Sequence, residues 1–341
     1  MKIVDKELNF LIWVLGKRIY YEPSMIRHEV ANLNISRLLR LSLRNHALYY
    51  ILSVLSSKEY ADELSINYRI LVYKIHKLIK MYYNRLIDIL DWIVKTLDGT
   101  EYLIIKTYLK YPKIPNDIDI IARDSLSCCK KLLKNGAKLV HYKPNVELVL
   151  AKDKIIIHLH KRITWTGGME IFDDNFLWKS EREVYHEGIK IPVPNYEADL
   201  LMHIGHSIFE NLFIDLPTIM YIFHLERYVN IKDLLEQTKR YKWQKSFLLV
   251  VNLIDKVHSA IYSYPSPLYE IVKDMKSFNS LDIKFPLFLT KKYIIYAFIE
   301  KRIIAYPLVK IKDTIGALLS SESYRKITFK PPEAKILEEA K

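Results

Sequence analysis

The sequence predicts an α+β fold that is predominantly helical, with a small mixed sheet that contains a D-x-D strand, flanked by N- and C-terminal helical regions. Three observations support this prediction. Apolar residues recur every three or four positions over long stretches, which is the spacing of one helix face. Short apolar runs of the kind that form buried strands lie between residues 102 and 160. The 341-residue chain contains only 8 glycines, fewer than the turns of an all-β fold usually need.

The clearest helix is predicted from Asn67 to Leu97, where apolar residues follow one another at helical spacing. They are Leu71, Ile75, Leu78, Tyr82, Leu86, Ile89, Ile93 and Leu97. An unbroken helix of this length would be roughly 45 Å long at about 1.5 Å per residue. Its other face carries Lys74, Lys77, Lys80 and Arg85, a pattern compatible with a solvated surface or with contact to phosphates.

Two strands are predicted directly after this helix, at Tyr102–Ile105 and Ile118–Ala122. Asp117 and Asp119 lie at the start of the second strand. Because side chains alternate along a strand, the two carboxylates share a face, with Cα atoms about 7 Å apart. Two like charges in an apolar strand cost free energy unless a counter-ion is present. The pair is therefore predicted to hold a divalent cation such as Mg²⁺, which prefers oxygen ligands.

The remainder of the predicted sheet follows a helix at Ser125–Asn135. Strands are expected at Val146–Leu150 and Ile155–His160. Period-two alternation places His158 and His160 on one face of the last strand. Such a histidine pair can contribute to a transition-metal site or can be packed as partly buried polar residues.

The second half of the chain is predicted to be mainly helical. Thr166–Tyr185 is expected to be a loop, and Val184–Val193 a hairpin that turns at Glu187-Gly188. Asn195 is typical of a helix start, and further helices are expected as far as about Leu319. These features suggest three regions: a helical region at 1–97, a sheet-containing core at 98–194 and a helical domain at 195–341.

The net charge of +13 and the pI near 9.3 favour polyanionic partners such as nucleotides or RNA. Cys128 and Cys129 are adjacent, a spacing that fits neither a disulfide framework nor a metal knuckle, so a cytoplasmic location is expected. No apolar run approaches 18 residues and no signal peptide is apparent, so no membrane partner is expected. Abundant Lys, Ile and Tyr with little Gln suggests a thermophilic source.

Several of these residues occur in a characteristic order: Lys106, then Tyr111-Pro112 and Lys113, then Asn116 to Asp119. Together with the long helix ahead of the first strand, this order resembles the uncharacterised nucleotidyltransferase family of the polymerase-β superfamily. The similarity extends over roughly residues 40 to 230. Within it, Ile157–His160 corresponds to an aspartate-leucine-histidine-like strand, and Asn195–His206 places His206 on the family's histidine.

The resemblance implies transfer of a nucleoside monophosphate from a nucleoside triphosphate to an acceptor, which could be RNA, a protein or a small molecule. It implies Mg²⁺, with Mn²⁺ as an alternative. The residues with implied roles form two sets. The catalytic set is Asp117, Asp119, Glu147 and His158, of which Asp117, Asp119 and His158 would hold metal; the nucleotide-binding set is Lys106, Thr107, Lys113 and Asn116.

The sequence departs from the superfamily pattern at two places. Lys106-Thr107 occupies the position of a Gly-Ser pair whose backbone amides hold phosphate oxygens, and His158 occupies the position of a third carboxylate. Glu147 on an adjacent strand could replace that carboxylate.

Two other functions therefore remain open beside an enzyme of this kind. One is a catalytically degenerate module that binds nucleotide or nucleic acid. The other is a metal-dependent hydrolase that uses Asp117, Asp119, His158 and His160.

Overall fold

The structure, a computed structural model, describes residues 5–16, 30, 32–107, 114–143, 147–163, 170–211, 213–275 and 287–289. Within these ranges the protein has the predicted α+β fold, in which helices predominate and a five-stranded mixed sheet lies at the centre. Among the described helices, none combines the length and the apolar character that crossing a bilayer requires.

A group of helices precedes the sheet. They are α1 (Lys6–Gly16), α2 (Ile35–Arg44), α3 (Leu48–Leu55), α4 (Lys58–Ala61) and α5 (Ile66–Thr96). Helix α5 confirms the predicted long helix to within one residue at each end. Its buried residues include Val72, Ile79 and Leu86. Leu71 and Leu78, which belong to the predicted apolar face, are instead exposed, so that part of the prediction was wrong.

The sheet contains five strands in the order β1-β2-β5-β4-β3. The strands are β1 (Tyr102–Ile105), β2 (Asp117–Ala122), β3 (Lys138–Lys143), β4 (Glu147–Lys152) and β5 (Ile155–His160), with α6 (Ser125–Lys134) between β2 and β3. Strands β2 and β5 are parallel, and the other neighbouring pairs are antiparallel. The predicted strands are confirmed over their described residues, Val146 lying outside them, but β3 was missed. It forms the edge of the sheet, where Leu139 and Val140 are exposed, so it lacks the alternation that reveals a half-buried strand.

The centre of the sheet is covered on both faces. Every residue of β2 after Asp117 is buried, including Asp119. In β5, Ile155, Ile157 and Leu159 are inaccessible while His158 and His160 are partly exposed, which confirms the predicted alternation. The Asp119 side chain is therefore buried in the core, whereas His158 and His160 on the neighbouring strand β5 are partly exposed to solvent.

The chain after the sheet contains one short helix that the sequence did not predict, within the expected loop. Helix α7 (Asp174–Trp178) begins after Asp173, whose carboxylate accepts the N–H of Asn175. Only five residues long, this helix is too short to show helical periodicity. Its buried residues are Phe176 and Leu177.

The other elements of this half follow in order. They are β6 (Arg182–His186), β7 (Ile189–Val193), α8 (Tyr196–His206), a π-helical turn (Ser207–Asn211), β8 (Phe213–Ile214), α9 (Leu216–Leu225), α10 (Ile231–Arg240), α11 (Gln244–Tyr262), a 3₁₀ turn (Tyr269–Ile271) and β9 (Leu287–Phe288). The β6–β7 hairpin is confirmed, since Glu187 and Gly188 at its turn have φ of 49° and 83°. Asn195 begins α8 by accepting the N–H of Ala198 at 2.7 Å, as predicted.

Candidate active site

The parallel pairing of β2 with β5 determines which side chains meet at the centre of the sheet. Asp119 lies opposite His158, and Ile121 lies opposite His160. On its other side, β2 pairs with β1, where Ile105 lies opposite Asp119. The end of β1 and the Lys106-Thr107 pair that follows it are thereby placed next to β2, the strand that carries Asp117 and Asp119.

The carboxylate of Asp119 is held from both sides. Its Oδ1 lies 2.7 Å from His160 Nε2, and its Oδ2 lies 3.3 Å from Lys106 Nζ. The backbone N–H of Asp119 donates to Thr107 Oγ1 at 2.7 Å. Since the Asp119 side chain is only 11% exposed, these contacts fix both its position and its charge. Thr107, predicted to bind nucleotide, thus also positions Asp119.

The loop after β1 has an unusual backbone at Lys106. Its φ is +55°, and the N–H of Thr107 donates to the carbonyl of Ile105 at 2.5 Å, which closes a γ-turn around Lys106. A side chain at positive φ is disfavoured, and such strain often occurs at functional sites. Lys106 thus adopts a backbone conformation that favours glycine, and its ammonium group contacts Asp119.

Asp117 is the more accessible carboxylate, with its Oδ2 3.5 Å from His158 Nε2 and a third of its side chain exposed. Burial raises its pKa, and the negative charge of Asp119 raises it further, against the opposing effects of His158 and Lys106. Burial would also raise the pKa of Asp119, but Lys106 and the hydrogen bond from His160 outweigh it and lower that pKa well below its usual range. The two carboxyls therefore differ in how readily they bind a proton.

Three side chains form a group that can bind a metal ion. Asp119, His158 and His160 each offer one ligand atom, and these atoms lie within 4.8 Å of one another. A carboxylate with two imidazoles fits a divalent transition-metal ion better than Mg²⁺, which prefers oxygen ligands. The predicted metal set was Asp117, Asp119 and His158; the structure brings His160 into the group and leaves Asp117 beside it.

The other predicted site residues are less closely assembled. Asn116 is exposed and directly precedes Asp117. Lys113 and Tyr111-Pro112 lie outside the described residues. Glu147 pairs with His160 in the register of β4 and β5. Its catalytic role stays a prediction.

Sequence reasoning did not identify Glu210, an acid outside the sheet whose charge acts on the site. Its charge raises the pKa of both Lys106 and Asp117, so it acts on the site from the segment that follows α8. Glu210 Oε2 lies 2.8 Å from His206 Nδ1, and its side chain is 45% exposed. It lies in the π-helical turn, a distortion that often occurs at functional sites. The available signal was its position four residues after His206, on which the resemblance had placed the family's histidine.

His203, the other histidine of α8, belongs to a separate group of side chains. This group, termed the Asp199 cluster, consists of Asp199, Arg182, Tyr221 and His203. Arg182 Nη2 and the hydroxyl of Tyr221 lie 2.8 and 2.6 Å from Asp199 Oδ2, and His203 Nε2 lies 3.5 Å from Asp199 Oδ1. Since Asp199 is inaccessible to solvent, the cluster joins α8 to α9 and the β6–β7 hairpin.

The β2–β5 geometry and the segment that carries Glu210 lie within one region of sequence similarity. Residues 110–258 match the model of a family described as uncharacterised nucleotidyltransferase. The resemblance inferred from the sequence is thereby confirmed for a region that covers less than half of the chain. We call residues 110–258 the nucleotidyltransferase-like region; it contains both aspartates of the D-x-D strand. No curated protein matches the chain significantly.

Proposed function

We propose that the chain is a nucleotidyltransferase that uses a divalent cation to transfer a nucleoside monophosphate from a nucleoside triphosphate to an acceptor hydroxyl. The observation that carries this proposal is the convergence of Asp119, His158 and His160, with Asp117 alongside, inside the nucleotidyltransferase-like region. The class of acceptor, whether RNA, a protein or a small molecule, stays open.

In the proposed reaction, the acceptor oxygen forms a bond to the α-phosphorus of the triphosphate. The bond from that phosphorus to the bridging oxygen breaks, and pyrophosphate leaves. We propose Glu210 as the group that takes the acceptor proton, because it is accessible, contacts His206 and acts through its charge on Lys106 and Asp117. Glu147 and His158, which belong to the catalytic set implied by the resemblance, are the other candidates for this step.

Asp119, His158 and His160 would hold the cation, and Asp117 could add a further oxygen ligand. When bound, the cation supplies positive charge to the triphosphate. Lys106 adds a second positive charge. Burial lowers its pKa, but the neighbouring carboxylates, Asp119 foremost, outweigh burial, raise the pKa and keep the amine protonated. It would exchange its contact with Asp119 for a contact with phosphate. Positioning and charge stabilisation are expected to be the main catalytic contributions, as in other phosphoryl transfers.

The two histidines suggest that Mn²⁺ supports the reaction better than Mg²⁺. Substituting His158→Asp would restore a third carboxylate opposite Asp119. We expect the ratio of activity in Mg²⁺ to activity in Mn²⁺ to rise by about tenfold or more, because changes around a metal site typically alter affinity by 10- to 100-fold. An unchanged ratio would argue against His158 as a ligand.

The deciding experiment measures transfer of label from an α-labelled nucleoside triphosphate, in Mg²⁺ and in Mn²⁺, to acceptors of each class. The double substitution Asp117→Asn with Asp119→Asn is expected to abolish transfer while circular dichroism shows an intact fold. Asp153→Asn is a matched control, since Asp153 is exposed in the β4–β5 turn at φ 49°, which asparagine tolerates. Transfer at the wild-type rate in the double variant would refute the proposal.

A metal-dependent hydrolase is the second candidate, because one carboxylate and two histidines also form the ligand set of hydrolytic metal sites. Product analysis separates the two functions. A hydrolase would release free nucleoside monophosphate whether or not an acceptor is present, whereas a transferase places the label on the acceptor. Metal-dependent binding of nucleotide without either product would identify a degenerate binding module.

A further inference from the structure

The first half of α5 presents an unusual surface, which we call the outer face of α5. Its apolar members are Ile66, Ile70, Tyr73 and Met81. Its basic members are Lys74, Lys77 and Lys80. At about 100° per residue, these positions lie on the side of the helix opposite Val72 and Ile79, the two residues of this half that are buried.

The apolar members of the outer face are open to solvent to a degree that is rare for such side chains. Ile66 is 72% exposed, Tyr73 63% and Met81 57%. Leu71 and Leu78 extend this surface along one flank of the helix. A contiguous exposed apolar surface on a folded protein usually marks a site of interaction.

The charge of this helix half has one sign. Between Ser65 and Asp88 the sequence contains no acidic residue. In the part of the chain that the structure describes, Arg69 pairs with Asp62 at 3.2 Å, while Lys74, Lys77 and Lys80 form no ion pair. The outer face therefore combines apolar side chains with positive charge that no acid among the described residues pairs with.

That combination restricts the partner. A second copy of the chain would oppose lysine to lysine, at a cost in free energy. A nucleic acid would use the lysines but would leave Ile66, Ile70 and Met81 without apolar contacts. An anionic bilayer surface uses both classes: the apolar side chains enter the interface, Tyr73 suits the headgroup level, and the lysines extend towards lipid phosphates.

We propose that the outer face of α5 binds the surface of a bilayer that contains anionic phospholipids, with the helix lying in the plane of the interface. This inference is independent of the proposed transferase function. It differs from the sequence-based expectation that the chain has no membrane partner, which considered spanning segments and signal peptides. The sequence pattern did not predict that Leu71, Leu78 and the apolar residues among the lysines are exposed.

The test is flotation of the full-length protein with vesicles of phosphatidylcholine alone and with vesicles in which about a third of the lipid is phosphatidylglycerol. Wild-type protein should float only with the anionic vesicles, and less at high salt. The triple substitution Lys74→Gln, Lys77→Gln, Lys80→Gln should weaken binding by about a hundredfold. Replacing Lys130, Lys134 and Lys239 by Gln is the matched control, because these lysines are exposed on other helices.

A second variant separates lipid from nucleic acid. Ile66→Gln, Ile70→Gln, Met81→Gln keeps every charge and a helix-forming residue at each position, and it should also lose vesicle binding. The lipid proposal is overturned if this variant binds anionic vesicles as well as wild type does. It is also overturned if wild type does not bind vesicles and a short RNA binds to this variant but not to the lysine triple variant. Failure of wild type to float with anionic vesicles overturns it as well. Circular dichroism checks that each variant is folded.

Discussion

Two buried aspartates in this protein have similar neighbours and different settings. Asp119 contacts Lys106 and His160 in the sheet, and Asp199 contacts Arg182 and Tyr221 where α8 meets α9. In both cases burial alone would raise the pKa, and the neighbouring groups lower it instead. An aspartate, a histidine and a cationic side chain thus do not by themselves define a catalytic site.

The difference lies in access and in a second acid. Asp199 is inaccessible, and its partners come from packed elements. Asp119 has beside it Asp117 and His158, whose side chains are 33% and 21% exposed. Lys106 already pairs with Asp119, and Asp117 adds a second carboxylate. The sheet site would therefore be stabilised by a further positive charge. Under the proposed function, the Asp119 group serves chemistry, whereas the Asp199 cluster serves stability.

The largest expected effect that tests this contrast is the loss of catalysis in Asp119→Asn. Without its charge the residue cannot hold a cation or Lys106, so label transfer should fall by at least about 1,000-fold, the upper end of the loss seen when one charge-stabilising group is removed. Steady-state transfer with saturating Mn²⁺ measures it. If raising the metal concentration reversed the loss of transfer, Asp119 would contribute only to the affinity for the metal ion.

Glu210→Gln should have the next largest effect. If Glu210 accepts the acceptor proton, kcat should fall by about 100-fold, the lower end of typical general-base contributions. The pH dependence of kcat should lose its rising acidic limb, while KM for the nucleotide changes little. A raised KM with unchanged kcat and an unchanged pH profile would instead assign Glu210 to substrate binding.

Asp199→Asn should affect stability. Arg182, whose side chain is 15% exposed, would lose the charge of Asp199 in a mostly buried setting, which typically costs about 3 kcal/mol in the free energy of unfolding. Transfer per folded molecule should stay at the wild-type level, in contrast to Asp119→Asn. Chemical denaturation followed by circular dichroism measures the first quantity, and activity normalised to folded protein measures the second. If Asp199→Asn lost activity at full stability, the distinction between the two clusters would be wrong.

The pH dependence of stability should show the smallest effect. The pKa of Asp199 is lowered in the folded protein, so its stabilisation is complete above the ordinary aspartate pKa of about 3.9 and is lost as the pH falls below it. The unfolding free energy of Asp199→Asn should therefore decline less steeply than that of wild type on acidification below about pH 5. Denaturation curves at a series of pH values test this; parallel declines would contradict it.

Local patterns were sufficient to predict much of the fold. The apolar runs of β1, β2 and β5, the hairpin at Glu187-Gly188 and the helix start at Asn195 each depend on residues close in sequence. The same holds for the shared face of Asp117 and Asp119. The family resemblance added His158 and His206.

The remainder of the site depends on contacts between distant residues. The approach of His160 to Asp119 follows from the parallel register of β2 and β5. The ion pair of Lys106 with Asp119 follows from the γ-turn at Lys106, which the sequence Lys106-Thr107 does not predict. Glu210 was missed because it affects the site only through its charge, which acts on Lys106 and Asp117, two residues far from it in sequence. Strand β3 was missed because an edge strand does not need a buried face.

The π-helical turn at Ser207–Asn211 has a consequence for the length of this segment. Such a turn accommodates one residue more than a regular α-helical turn. Deleting one residue between His206 and Glu210 would close the wide turn into a regular α-helical turn and shorten the spacing of these two residues from four to three. Their ion pair would then be altered although neither residue type had changed. Insertions and deletions, rather than substitutions, are therefore the changes that this segment should tolerate least.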